Sequence, residues 1–347
     1  MKKIRVGVVG AGNIARSAHL PAYQNLKDIA EVVAIADKNL ERAQETAEKF
    51  GIPQAFASVE ELLAGAEVDM IDICVWNHAH AEVAIAAAKA HKAVLCEKPL
   101  ADSLENARKI QAAVDEAGVP FMCAMCSRWT EEARMLKEMI DAGELGRIYY
   151  VKTGYVRRRG TPIGWFTDKS KSGGGPVIDI GVHNIDCAWY LMGKPKPVRV
   201  SASTYNYIGD FKTRGVTRWL ALDSDVTAFD TEDSAAALIH FENGATMFAE
   251  ASWAINAPEG RYNQIVGDKA GATLDPFVIY GENNQHFLTN NAPVTHTLNR
   301  YEAEIHHFID CINNGTQPVS PLSDGVEVQK ILEGIYTSAK LGREVEL

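Results

Sequence analysis

Ile4-Arg5-Val6-Gly7-Val8-Val9-Gly10-Ala11-Gly12-Asn13-Ile14-Ala15 decides how this chain folds. Residues 4–9 form a short apolar run that reads as a buried strand. The run passes into G-x-G-x-x-A, and a helical pattern follows. Each small residue has a mechanical reason. Gly10 allows a tight turn, Gly12 lets backbone approach a pyrophosphate, and Ala15 lets the helix pack close to the strand. Asn13 and Ile14 open that helix, whose N-terminus then faces the phosphates. These residues are the first candidates for holding a dinucleotide.

A second apolar strand, residues 32–36, ends at Asp37, 25 residues past Gly12. A carboxylate at that interval accepts hydrogen bonds from both ribose hydroxyls and repels a 2′-phosphate, which favours NAD over NADP. Lys38 and Arg42 keep NADP open, and Asp37 also reads as a plain helix N-cap. The alternation continues. Residues 40–50, 59–64, 79–90 and 104–117 read as helices, and 68–75, 93–96 and 119–124 as strands. Strands and helices alternating at short intervals imply a parallel sheet covered on both faces. Residues 1–125 are therefore expected to form an α/β Rossmann-type dinucleotide-binding domain.

Beyond that point the pattern changes. Strand-like runs at 148–157, 198–205, 235–241, 245–253, 262–267 and 272–280 dominate. Residues 131–142, 177–192, 301–313 and 326–341 read as helices. The expectation for 126–347 is an α+β substrate-binding and oligomerisation domain with a large, mostly antiparallel open sheet.

Composition narrows the function. The 347 residues are 46% hydrophobic and 23% charged, as in a globular protein. The net charge is −10, and no basic face is evident, which argues against nucleic acid. The N-terminus lacks a signal-peptide pattern and no apolar stretch is long enough to span a bilayer. A cytoplasmic protein without a membrane partner is expected. The six cysteines are scattered through apolar runs and read as buried thiols. Cys123-Ala124-Met125-Cys126 has C-x-x-C spacing, but no second pair or matching histidines accompany it, so no metal site is assigned.

Two stretches carry candidate chemistry. Strand 93–96 stops on Glu97-Lys98-Pro99, and proline forces the chain to turn, which holds Lys98 at a strand's carboxyl end. Ligands of open α/β sheets bind at that edge, although a Glu-Lys pair in a turn is often only a solvated pair. In Gly173-Gly174-Gly175-Pro176-Val177-Ile178-Asp179-Ile180-Gly181-Val182-His183-Asn184-Ile185-Asp186, helical spacing after three flexible glycines puts Asp179, His183 and Asp186 along one face. A carboxylate one turn from a histidine suits a general base. Polar residues at that spacing also commonly mark a solvated face.

Taken together, Gly10 to Ala15, Glu97-Lys98-Pro99 and the Gly-Gly…Asp179-x-x-x-His183 stretch resemble the glucose–fructose oxidoreductase/inositol dehydrogenase (Gfo/Idh/MocA) family. Asn77-His78-Ala79-His80-Ala81-Glu82 is similar to its Asn-x-x-His-x-Glu run, and Arg128-Trp129 to its arginine–aromatic pair. Ser323-Asp324-Gly325 before a helix fits its tail. The resemblance covers nearly the whole chain. It implies an NAD(P)-dependent dehydrogenase acting on a secondary alcohol of a sugar, sugar derivative or cyclitol, working as a homodimer or homotetramer. Lys98 is then the lysine beside substrate and nicotinamide, Asp179 orients substrate, and His183 accepts the proton. Lys38, Trp76, Asn77, His80 and Glu97 join the cofactor-binding candidates, and Arg128, Tyr155, Arg157 and Trp165 the substrate-binding ones. Trp253 and His306 are further lining candidates, with Trp253 read chiefly as core. Trp76 departs from the family, most of whose members carry proline there. Arg157 to Phe166 is variable territory whose arginines and aromatics suit a carboxylate, a phosphate or a sugar face, or an ordinary surface loop. An NAD-dependent glycosidase using transient oxidation and a non-catalytic dinucleotide or sugar sensor are the alternative functions.

Overall fold

The computed structural model describes residues 2–219, 221, 228–291 and 299–347. Contacts divide the chain into two compact units. Met1–Cys126 forms the first together with Asn299–Gln329, and Ser127–Leu298 forms the second together with Lys330–Leu347.

The first unit holds β1 (Ile4–Val9), β2 (Ala30–Ala36), β3 (Gln54–Phe56), β4 (Met70–Ile73), β5 (Ala93–Glu97) and β6 (Phe121–Ala124). They lie in the order β3-β2-β1-β4-β5-β6, and every pair is parallel. This is the doubly wound order, which reverses between β1 and β4 and so opens a crevice at the strands' carboxyl ends. Burial on both faces explains why these strands read as apolar runs. α1 (Leu20–Asn25), α2 (Leu40–Phe50), α3 (Val59–Gly65), α4 (His80–Lys89) and α5 (Leu104–Ala117) connect them. Asn39, Ser58 and Ser103 cap α2, α3 and α5 by accepting a backbone N–H. Gly51 and Gly118, both left-handed, end α2 and α5.

The sequence division at 125/126 puts all later residues in one domain, whereas Asn299–Gln329, with the helix Arg300–Asn314, belongs to the first unit. Its Ile305, Phe308 and Ile309 are buried in one core with Val6, Leu20, Ile35 and Leu95. An amphipathic pattern shows that a helix has an apolar face, but not which sheet covers it. The last long helix, Leu322–Leu341, runs across the boundary between the units.

The second unit is built on nine strands. They are β7 (Ile148–Val156), β8 (Pro197–Tyr205), β9 (Ser234–Phe241), β10 (Thr246–Ser252), β11 (Gly260–Gly267), β12 (Gly271–Leu274), β13 (Phe277–Asn283), β14 (His286–Asn291) and β15 (Val345–Glu346). Their order is β14-β13-β12-β11-β7-β10-β9-β8-β15, antiparallel except for the parallel pair β7/β10. The single run expected at 272–280 is two strands, because Asp275-Pro276 turns the chain. β14 follows a tight turn at Asn284-Gln285, where both residues have positive φ. Helix Val182–Leu191 lies on one face of the sheet, where Asn184 Nδ2 donates to the Gly154 carbonyl of β7 at 2.7 Å. Tyr149, Leu238 and Tyr280 are exposed.

Candidate active site

The glycine loop has the geometry its sequence implies. Gly10 sits at φ +103°, and a Cβ there would lie 2.5 Å from the Cys74 carbonyl oxygen at the end of β4. Only glycine fits. At Gly12 a Cβ would meet nothing closer than that oxygen at 4.0 Å, so no part of the protein demands a glycine. The space suits a group approaching from outside, as a pyrophosphate does. Residues 13 and 14 open the helix, Ala15 is fully buried, and Ala15–His19 is a π turn leading into α1.

Asp37 braces this loop. Its Oδ2 accepts the Ala11 N–H at 2.8 Å, and its Oδ1 accepts from the Asn39 N–H at 2.8 Å and from Arg42 at 2.7 Å. It is not the cap of α2; Asn39 is. A carboxylate has about four acceptor sites, so one remains. Lys38 Nζ lies 3.4 Å from the Trp76 ring centroid, a cation–π contact joining the ends of β2 and β4. Trp76 has φ −69°, the value a proline would fix, so the turn keeps a proline-like backbone with an indole on it. Asn77 is buried at the start of the short helical turn that follows.

The carboxyl end of β5 is organised by histidines. The His80 ring, fully buried, contacts the Pro99 carbonyl at 2.8 Å and the Val75 carbonyl at 3.1 Å. Burial lowers its pKa, and the neutral ring donates along one of these contacts. Glu97 Oε2 accepts the Lys98 backbone N–H at 3.1 Å, and Oε1 lies 3.0 Å from His19 Nε2. His19 Nδ1 in turn lies 2.8 Å from Asp72 Oδ2, which also accepts the Tyr23 hydroxyl at 3.0 Å. Burial opposes charge on His19, but the Asp72 carboxylate outweighs it and raises the pKa well above 6.5. Burial likewise opposes charge on Glu97, and the hydrogen bond from His19 prevails, lowering it. Lys98 is thus fixed from behind by a carboxylate–imidazolium–carboxylate bridge. Sequence reasoning missed His19 and Asp72.

Cys74 belongs to the same cluster, its ligand-type atom close to those of His19 and Asp72. The hydrogen bonds of His19 to Asp72 and Glu97 account for this grouping, and burial pushes the Cys74 thiol up to about 12. All six cysteines are buried and none forms a disulfide. Burial raises Cys126 of the C-x-x-C pair to about 11.

In the second unit, the three glycines before Asp179 are packed rather than flexible. Gly173 takes φ +83° to end a short helix. A Cβ on Gly174 would lie 2.1 Å from the Tyr336 hydroxyl, and one on Gly175 2.2 Å from the Glu232 carbonyl. Half-buried Glu232 accepts the N–H groups of Gly175 and Val177 at 2.9 and 3.2 Å and the Tyr336 hydroxyl at 2.9 Å. Val177–Gly181 is a π turn, with the Val182 N–H reaching back five residues to Val177, before the helix Val182–Leu191. Asp179 and His183 therefore straddle a π-to-α junction instead of sharing one regular turn, and π turns gather at functional sites. Asp179 Oδ2 accepts the Trp253 indole N–H at 3.0 Å. Trp253 is wholly buried, so it is both core and clamp. His183 is half-buried.

Asp186 does not join them. It faces Arg128 in a buried fork, with bonds of 2.9 and 2.6 Å. Arg128, expected at substrate, is 2% exposed and lies 4.7 Å from the Tyr190 ring. Tyr155 stands between two guanidiniums, Arg157 at 5.0 Å and Arg261 at 5.3 Å. Arg261 also bonds Asn184 Oδ1 and Ser127 Oγ. Trp165 stacks on Phe166 at 3.9 Å, and Phe166 meets Trp219 edge-on. His306 is about half exposed and pairs with Asp310 at 3.1 Å.

Comparison with known proteins agrees with this layout. The Gfo/Idh/MocA oxidoreductase family matches with its NAD-binding Rossmann fold at residues 4–125 and its C-terminal alpha/beta domain at residues 137–347. D-glucoside 3-dehydrogenase of Escherichia coli K12 is 33% identical over 349 residues, covering 99% of this chain and 97% of that protein. D-xylose 1-dehydrogenase (NADP(+)) 2 of Haloferax volcanii is 27% identical, covering 98% of this chain and 99% of that protein. A solved levoglucosan dehydrogenase in complex with NADH and L-sorbose superposes with a TM-score of 0.87 at 26% identity, covering 100% of this chain and 99% of that one. The chain belongs to the Gfo/Idh/MocA family and is an NAD(P)-dependent dehydrogenase acting on CH–OH groups.

Proposed function

We propose that the chain oxidises a secondary alcohol of a sugar, sugar derivative or cyclitol, or catalyses the reverse reduction, with NAD as the preferred cofactor. The observation that carries this reading is the Asp179 carboxylate, anchored by Trp253 and set one junction before His183 on a largely buried helix. The names of its relatives, which act on glucosides, xylose and levoglucosan, support a sugar.

Gly10, Gly12, Asn13 and Ile14 hold the dinucleotide's phosphates, Asp37 its ribose, and Lys38, Trp76 and Asn77 line its path. When bound, NAD supplies the hydride acceptor for the carbinol carbon. Neutral His183 takes the hydroxyl proton. The Lys98 ammonium steadies negative charge that develops on a substrate oxygen. Asp179 orients the hydroxyls, and Tyr155, Arg157 and Trp165 contact the rest of the substrate. Glu97 and His80 act as positioning residues, because their side-chain bonds go to His19, to the Lys98 N–H and to the Pro99 and Val75 carbonyls. Arg128 serves packing through Asp186.

The enzyme works in the cytoplasm as a homodimer or homotetramer. Tyr149, Leu238, Tyr280, Phe287 and Leu288 are exposed apolar side chains of the nine-stranded sheet, and a second copy would cover them. A panel of cyclitols, aldoses, glycosides and uronic acids, followed by nicotinamide absorbance, tests the substrate class. Turnover of a glycoside without net reduction of cofactor would favour the glycosidase alternative instead.

A further inference from the structure

A cleft of about 100 Å³ in the second unit is lined by Arg159, Thr161, Phe211, Lys212, Thr213 and Arg218 among others. Three cations and two hydroxyls face one small volume in a chain whose net charge is −10. Among the described residues no carboxylate lines it. Of the neighbouring acids, Asp210 is exposed and does not line the cleft, and two others are bonded elsewhere. Asp233 accepts the backbone N–H groups of Tyr207, Ile208 and Gly209 at 2.7–2.9 Å, and Asp230 accepts that of Lys169 at 2.7 Å.

The cleft is built rather than incidental. Its two walls are tied by backbone bonds from the Ile163 N–H to Trp219 and from the Ala221 N–H to Ile163, at 2.8 and 2.9 Å. Arg218 Nε donates to the Thr161 carbonyl at 2.9 Å, which holds the guanidinium at the cleft wall. Arg159 is fixed by donation to the Ile255 carbonyl at 3.0 Å and to Asn256 Oδ1 at 2.6 Å. Its Nε is buried and, among the described residues, has no acceptor. Holding like charges together costs energy that an anion offsets, and a guanidinium pair with hydroxyls matches the oxygens of a phosphate or carboxylate. The cleft also adjoins the proposed substrate face. Arg159 forms a β-bridge with Ala254, and the Gly160 N–H donates at 2.6 Å to the carbonyl of Trp253, the residue that anchors Asp179.

We propose that this cleft binds an oxyanion group carried by the substrate, so that the sugar is a phosphorylated or carboxylated one. The inference rests on the dehydrogenase reading above for its word substrate, but not for the anion site itself. Calorimetry on protein saturated with NADH, so that the glycine loop is filled, tests it at matched ionic strength with inorganic phosphate and with D-glucuronate as probes. Binding of either is expected. Arg218→Gln should weaken it by at least about tenfold and the exposed Lys212→Gln by about threefold, the latter with little risk to folding. Phosphate binding more tightly than glucuronate assigns a phosphorylated sugar, and the reverse order a uronic acid. No binding of either probe, or equal binding by wild type and both variants, overturns the proposal. Full turnover of an uncharged sugar with no anion bound would overturn the assignment of the anion to the substrate and leave the dehydrogenase reading intact. Anion binding with no sugar oxidised would uphold the cleft and sink that reading.

Discussion

His19→Gln removes the cation from the bridge behind Lys98. The imidazole lies 2.8 Å from Asp72 and 3.0 Å from Glu97, and its side chain and that of Asp72 are wholly buried. Taking one partner from a buried ionic network costs about 3–5 kcal/mol, because the remaining charges lose their compensation. For a unit of this size that is a fall in Tm of about 6–20 °C. The pH dependence has a definite sign. His19 has a raised folded pKa, so its contribution is complete below about 6.5 and is lost as pH rises through the folded value. Glu97 has a lowered one, so its contribution is complete above about 4.5 and is lost as pH falls through the folded value. Urea unfolding followed by circular dichroism should therefore show the widest gap between wild type and variant at about pH 4.5–6.5, narrowing above it. Glu304 gives an independent check. Burial, and then the Glu97 carboxylate, hold its acid form well above the ordinary carboxyl range. Such a group's contribution fades as pH rises through its folded pKa, so Glu304→Gln should gain on wild type as the pH is raised. A gap of less than about 1 kcal/mol for the His19 variant near pH 6, or one that widens as pH rises, refutes the charged bridge.

Arg128→Met should destabilise by about 3–5 kcal/mol in chemical denaturation, and pairing it with Asp186→Leu should recover much of that. Additive losses would show that the fork carries no coupling. Fluorescence titration should give NADH at least about tenfold tighter binding than NADPH, with the gap shrinking in Asp37→Ser. A clear NADPH preference would mean that Lys38 and Arg42 dominate over Asp37. Sedimentation should find a dimer or tetramer that Phe287→Glu and Leu288→Glu weaken; a monomer in the wild type would remove the sheet as an assembly surface.

Much of the first unit was legible because its chemistry is local. A parallel sheet buried on both faces writes itself as apolar runs, and the glycine loop stands between the first run and a helix. Lys98 was legible as a strand-end lysine fixed by Pro99. The bridge behind it was not, because His19 is 53 residues from Asp72 and 78 from Glu97, and no spacing joins them. In the second unit, turns signalled by Gly or Pro were readable, whereas Asn284-Gln285 adopts positive φ without a glycine and concealed β14. The parallel pairing of β7 and β10 depends on tertiary order, which consecutive strand patterns do not reveal. Helical spacing assumed an α turn through Asp179 and His183, and the π turn changes where those side chains emerge. The same spacing grouped Asp186 with them, although Arg128 claims it.

In the mechanism proposed above, Lys98 takes part in the chemistry while the glycine loop holds the cofactor independently of it. Lys98→Ala, assayed for turnover of the best sugar from the panel and titrated with NADH by fluorescence, separates the two. Turnover should fall by at least about a thousandfold, with NADH affinity within about threefold of wild type. Near-normal turnover in this variant would contradict that mechanism.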